Sequence, residues 1–150
     1  SGWTPRSLTK IYRMFLNCTS LESINLSGWN LENMTEIQYM FSGCTSLKTV
    51  DLSNWKTPKL SVLGRLINGC GNLTYANLSS LYQIDVYPFS GCVNLVTLDL
   101  SGWNLDNTIV DRRLFENCNS LKTVRMVGCS QTTVDKIKKV LPSGATVVTK

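Results

Sequence analysis

An α/β repeat solenoid, with a parallel β-sheet on one face and short helical turns opposite, is the fold class that three features of the sequence predict. Cysteines recur at Cys18, Cys44, Cys70, Cys92 and Cys118, separated by 26, 26, 22 and 26 residues. Three residues after each stands a leucine: Leu21, Leu47, Leu73, Leu95 and Leu121. Eleven residues after each stand Trp29, Trp55, Leu81, Trp103 and Cys129. A period of this length marks units that cannot bury an apolar face alone and must stack on their neighbours.

The elements follow in chain order, as one domain. Residues 1–13 form a partial repeat, because "SGW" at Ser1 to Trp3 reproduces "SGW" at Ser27 to Trp29, 26 residues on. The chain therefore starts inside a repeat and is expected to be a fragment of a longer array. Repeats then occupy residues 14–39, 40–65, 66–87, 88–113 and 114–129, followed by a C-terminal cap over residues 130–150. Within a repeat, "CTSLKTVDLSNW" spaces Leu47, Val50 and Leu52 so that the final residues alternate between two faces, as a strand does. Met14-Phe15, Met40-Phe41 and Leu114-Phe115 are expected to supply the opposite wall from a short helical turn. In the third repeat Leu66-Ile67 replaces Met-Phe, Ala76 replaces the strand aliphatic, Leu81 replaces Trp, and four residues are missing before Pro88. That repeat should be smaller, and it concentrates Tyr75, Tyr82 and Tyr87. After Cys129, "SQTTVDKIKKVLPSG" predicts a helix capped by Thr132 or Thr133. Val134, Ile137, Val140 and Leu141 share one face, and Pro142 with Gly144 ends the helix. Its lysines, Lys136, Lys138 and Lys139, are expected to face solvent, and "ATVVT" to form a last strand.

The recurring unit "MFSGCTSLKTVDLSNW" resembles the repeat of the BspA-like leucine-rich-repeat group of bacterial surface proteins, over residues 1 to about 128. The resemblance implies a leucine-rich-repeat solenoid on a secreted or surface-anchored protein, used in adhesion to host or matrix ligands. The family's ligand sites follow no motif, so it carries over no binding residue.

Chemistry is marked by what is missing. The chain has no histidine, which removes Ser-His-Asp and Cys-His machinery. Phosphate-cradling and dinucleotide glycine motifs are absent as well, so no cofactor is expected. Cysteines spaced by 22 or 26 residues do not make the close pairs of zinc sites, so no metal is expected. Stacked parallel cysteines hold their β-carbons about 4.8 Å apart, wider than the ~3.8 Å a disulfide needs. A reduced, buried ladder is expected. The tryptophan column is read as packing in register with the core rather than a sugar-binding row. Net charge is +5, but it alternates along the chain: +3 over residues 1–13, −3 over 14–39, +3 over 40–65, −2 over 66–113 and +4 over 114–150. Such alternation opposes a continuous phosphate track, so no nucleic-acid partner is expected. No apolar run reaches the ~20 residues of a membrane helix, so this segment should not insert in a membrane.

Function is therefore sought on the outward face of the strands. One row there reads Ser23, Thr49, Tyr75, Thr97 and Thr123; beside it run Asn25, Asp51, Asn77, Asp99 and Arg125. Arg125 can pair with Asp99 one repeat away. The candidate ligand contacts are Tyr75, Asn77, Thr97, Asp99, Thr123 and Arg125. The expectation is a monomeric, non-enzymatic recognition or adhesion module, extracellular or on a bacterial cell surface, with a protein or glycan ligand. The alternative is a structural spacer or a phage tail appendage repeat domain without a ligand of its own.

Overall fold

The computed structural model of the chain describes residues 7–81 and 87–150. Trp3 of the tryptophan column and Tyr82 of the third repeat lie outside the described residues. The strands, in chain order, are β1 (Lys10–Tyr12), β2 (Glu36–Gln38), β3 (Thr49–Asp51), β4 (Val62–Gly64), β5 (Tyr75–Asn77), β6 (Thr97–Asp99), β7 (Thr123–Arg125) and β8 (Thr146–Val148). They form two open parallel sheets, β1-β2-β4 and β3-β5-β6-β7-β8, in an α/β fold with one α-helix, α1 (Gln131–Val140).

The spacing of the cysteines reappears as strand register. Thr49 pairs with Tyr75, Tyr75 with Thr97 and Thr97 with Thr123, so each strand lies beside its counterpart in the next repeat. In β3, β5, β6 and β7 the central residue, Val50, Ala76, Leu98 or Val124, is buried, and the residues on either side are half-buried or exposed apart from Asp99, which is buried. β-branched residues at the flanks and centres favour this extended, half-buried conformation. Ser23 and Asn25, which the repeat aligns with these strands, lie in a segment without strand structure.

The side opposite departs from expectation. Rather than helical turns alone, it carries the second parallel sheet, in which Ile11, Ile37 and Leu63 point into the core. Met14-Phe15 and Met40-Phe41 sit in tight turns directly after β1 and β2. Only Leu114-Phe115, among the described residues, falls in a helical turn, the 3-10 segment Arg112–Phe115. The physical reason lies in backbone bonding: Arg13 N–H donates to Gln38 O and Tyr39 N–H to Gly64 O. The chain thus extends between repeats instead of closing a helix within one.

Both sheets bury one continuous cluster that runs from Ile11 to Ile137. Two columns of side-chain donors bind successive repeats together inside it. Thiols of Cys44, Cys70, Cys92 and Cys118 donate to the carbonyl oxygens of Phe15, Phe41, Ile67 and Phe89 in the preceding repeat, at 3.0–3.2 Å. A cysteine here is both a small hydrophobe and a weak donor. At the other corner Trp55 Nε1 donates to Leu26 O and Trp103 Nε1 to Leu78 O. Where Leu81 replaces tryptophan, Ser80 Oγ supplies the missing donor to Leu52 O, and Cys129 Sγ fills the last position against Leu100 O at 3.4 Å. The cysteines are free thiols; Cys18 is exposed and Cys129 half-buried, so the buried ladder comprises the four between them.

The C-terminal segment follows its predicted plan with two corrections. Ser130, not Thr132 or Thr133, is the N-cap of α1, and its Oγ accepts from Thr133 N–H at 3.0 Å. Thr133 is buried instead, accepting from Leu105 N–H and donating to Asp106. Lys136 does not face solvent: its ammonium donates to the carbonyl oxygens of Leu105, Asp106 and Thr108. Lys138 and Lys139 are exposed as expected. Val134 and Ile137 are buried against the core, and β8 adds a parallel strand beyond β7. No helix among the described residues is long and apolar enough to cross a membrane.

Candidate functional site

The strands β3, β5, β6 and β7 carry the residues singled out from the sequence. Tyr75, Thr97 and Thr123 are adjacent in register and half-buried. Asn77, Asp99 and Arg125 form the neighbouring row. The predicted ion pair is present: Arg125 Nε lies 3.2 Å from Asp99 Oδ2.

The Asn/Asp row has a second duty that the sequence pattern did not reveal. Asn25, Asp51, Asn77 and Asp99 each accept, through Oδ1, the backbone N–H two residues on, that of Ser27, Ser53, Ser79 or Ser101. These are Asx turns, which end the strand and start the corner. Asp99 is only 8% exposed, and both its oxygens are engaged. Tyr75, Thr97, Thr123 and Arg125 therefore present most of what the row offers to a partner.

The surface around this face is shallow. One open depression, about 490 Å³, lies by the tryptophan corner, between Glu32, Asn33, Trp55 and Lys59. A smaller one of about 250 Å³ borders Asn25, Thr49, Asp51 and Trp55, where the first repeat lacks its strand. Trp29 stacks on Trp55 with ring centres 6.2 Å apart, and Trp55 and Trp103 are buried, so the tryptophan column packs the corner. Among the described residues, no group of three acidic or cysteine side chains is placed to hold a metal ion.

The buried thiols have an altered acidity. Burial pushes Cys70 up to about 12 and Cys118 up to about 11, and it raises Cys44 and Cys92 as well. Such thiols are packing groups, not nucleophiles. The carboxylates with shifted acidity are lowered by specific donors: Asp106 by Ser130 and Thr133, Asp111 by Arg113, and Glu36 by Lys10 and Gln38. A proton-donating carboxylic acid would need the opposite shift.

One set of surface residues was missed. Five residues before each cysteine stand Arg13, Tyr39, Arg65, Tyr87 and Arg113, a strict alternation that the same alignment displays. Arg113 lies over the Tyr87 ring at 4.6 Å and is held by Asp111 at 2.7 Å. Tyr87 also donates to Asp111, at 3.4 Å. Tyr87 is thus partly occupied in local contacts.

A family model described as a Mycoplasma protein of unknown function, DUF285, matches residues 1–85. No curated protein matches the chain.

Proposed function

The chain belongs to the DUF285 family, and from that premise we propose that it is a non-enzymatic recognition module of a secreted or surface-exposed bacterial protein. Its repeats form a leucine-rich-repeat solenoid of the BspA-like kind, and its ligand is a host or matrix protein or glycan. The observation that carries this reading is the parallel row Tyr75, Thr97, Thr123 with Arg125 beside it. A backbone bonded from repeat to repeat holds these side chains at fixed spacing, which lowers the ordering cost of binding. The lack of histidine, the raised thiols and the lowered carboxylates favour binding over catalysis.

A spacer without a ligand is the second reading, and a specific observation favours it: the Asn/Asp row spends its acceptors on Asx turns. An array of glycans and matrix proteins separates the two. Recognition predicts saturable binding that Tyr75→Ala or Arg125→Ala weakens about tenfold, near 1.4 kcal/mol. Arg125 is half-exposed beside a mostly buried Asp99, which keeps the Ser101 N–H when the pair is lost, so Arg125→Ala should cost about 1–2 kcal/mol of stability. Absence of saturable binding across the array leaves the spacer.

A further inference from the structure

We propose that the surface column of residues directly following strands β1, β2 and β4, with Tyr12 at the end of β1, is a separate binding surface for a linear acidic glycan that carries a carboxylate on alternate sugars, contacted by Arg13, Tyr39, Arg65 and Tyr12. This surface borders the other sheet and uses different residues from the strand face described above.

The four positions Arg13, Tyr39, Arg65 and Tyr87 share a backbone feature. Their φ angles are 56°, 54°, 45° and 25°, a left-handed conformation that non-glycine residues rarely adopt. Where repeats tolerate that conformation at one aligned position, the position deserves a functional reading. Arg13 and Arg65 are exposed. Their guanidinium carbons lie 5.4 and 5.6 Å from the centre of the Tyr39 ring, so the two cations stand within about 11 Å of each other with tyrosine between them. Arg13 also covers Tyr12 at 4.8 Å. Tyr12 is 57% exposed and meets Tyr39 edge to face at 5.9 Å.

The charges around this patch leave the two arginines available. Lys10 and Glu36 neutralise each other at 3.0 Å, and Gln38 donates to Glu36. Neither Arg13 nor Arg65 has an ion-pair partner among the described residues. Gly64 removes bulk from the face beside Gln38; a Cβ there would sit 3.6 Å from that side chain. Arg113, further along the column, is held by Asp111.

Spacing and charge select the occupant. Strands lie about 4.8 Å apart, so the two arginines recur at roughly twice that distance. An extended acidic peptide repeats its same-face side chains about every 6.8 Å, out of step with the column. A glycan advances by about one strand spacing per sugar, and acid on alternate sugars reproduces the order Arg13, Tyr39, Arg65. Guanidinium forks donate bidentately to carboxylates, Tyr39 spaces the cations, and Tyr12 offers an aromatic wall to the neutral sugar.

The test is isothermal titration of the whole chain with hyaluronan oligosaccharides, with dextran and poly-glutamate as the other arms. The expected result is saturable hyaluronan binding, no dextran binding, and poly-glutamate at least tenfold weaker. Arg13→Gln with Arg65→Gln should weaken hyaluronan at least tenfold. Lys138→Gln with Lys139→Gln, which removes the same charge elsewhere, should leave it within twofold. Circular dichroism melts accompany each variant, and the single Arg65→Gln variant, expected to lose at least threefold, replaces the double one if that fails to fold. Absence of hyaluronan binding, equal or tighter poly-glutamate binding, or equal losses in both charge-matched pairs would overturn the proposal. A hyaluronan interaction that fails only in Tyr75→Ala would assign the ligand to the other face and overturn it too.

Discussion

Thiol alkylation of the folded protein offers a graded prediction, with magnitudes set by burial. Cys44, Cys70 and Cys92 have no exposed surface and Cys118 only 1%, while Cys18 is exposed and Cys129 half-buried. At about pH 8 an unfolded cysteine, with a pKa near 8.5, is roughly one-quarter thiolate. Cys70, pushed up to about 12, is about one part in ten thousand thiolate at that pH, a loss of more than a thousandfold in reactive species. Cys118, pushed up to about 11, loses a few hundredfold. Exclusion of the reagent by packing adds to both. Native protein treated with iodoacetamide and mapped by mass spectrometry should therefore be modified first at Cys18 and more slowly at Cys129. The other four should wait for opening of the fold, and all six should react in denaturant. Modification of Cys70 or Cys92 at the rate of Cys18, without unfolding, would refute the donor ladder. So would a disulfide between neighbouring repeats in the folded protein.

Three further outcomes follow from the packing. Lys136→Ala strips a charged donor from three carbonyl oxygens; a loss of about 2 kcal/mol should lower Tm by roughly 4–8 °C, whereas exposed Lys138→Ala should leave it nearly unchanged. Ser80→Ala removes one of two donors from the Leu52 carbonyl, which keeps the Trp55 N–H, and should cost about 0.5–1.5 kcal/mol in urea unfolding. Alkaline pH should destabilise the fold through the thiols. Their folded pKa values are raised, so their contribution is complete below the unfolded value near 8.5 and is lost as pH climbs toward 11 or 12. For Cys70 alone this amounts to about 2 kcal/mol at pH 10, and Cys70→Ala melts should show a correspondingly shallower decline above pH 9.

Much of this fold is written in the spacing of single residue types. The intervals between cysteines anticipate the register Thr49 to Tyr75 to Thr97 to Thr123, because parallel strands in successive repeats must advance by the repeat length. The Asp99 to Arg125 pair and the final helix and strand were legible for the same reason. The second sheet was not. Its strands "KIY", "EIQ" and "VLG" each hold one core residue, too little for any periodicity to register. Lys136 looked solvated because a polar helix face is normally so; the carbonyl oxygens of Leu105, Asp106 and Thr108 that draw it inward come from a distant loop. The turn duty of Asn77 and Asp99 was hidden as well, since an Asx turn and a ligand row ask for the same residue types. The Arg/Tyr column could have been read, but only by aligning polar positions as carefully as apolar ones.

Binding through the strand face is the central functional claim, and titration of Tyr75→Ala beside the native chain tests it most directly. Both proteins should be run by biolayer interferometry against every glycan and matrix protein that the array retains. The account predicts a saturable ligand for the native chain, about tenfold weaker binding by Tyr75→Ala, and a Tm changed by no more than a few degrees. Equal affinity of the two proteins, or no saturable ligand for either, would contradict it.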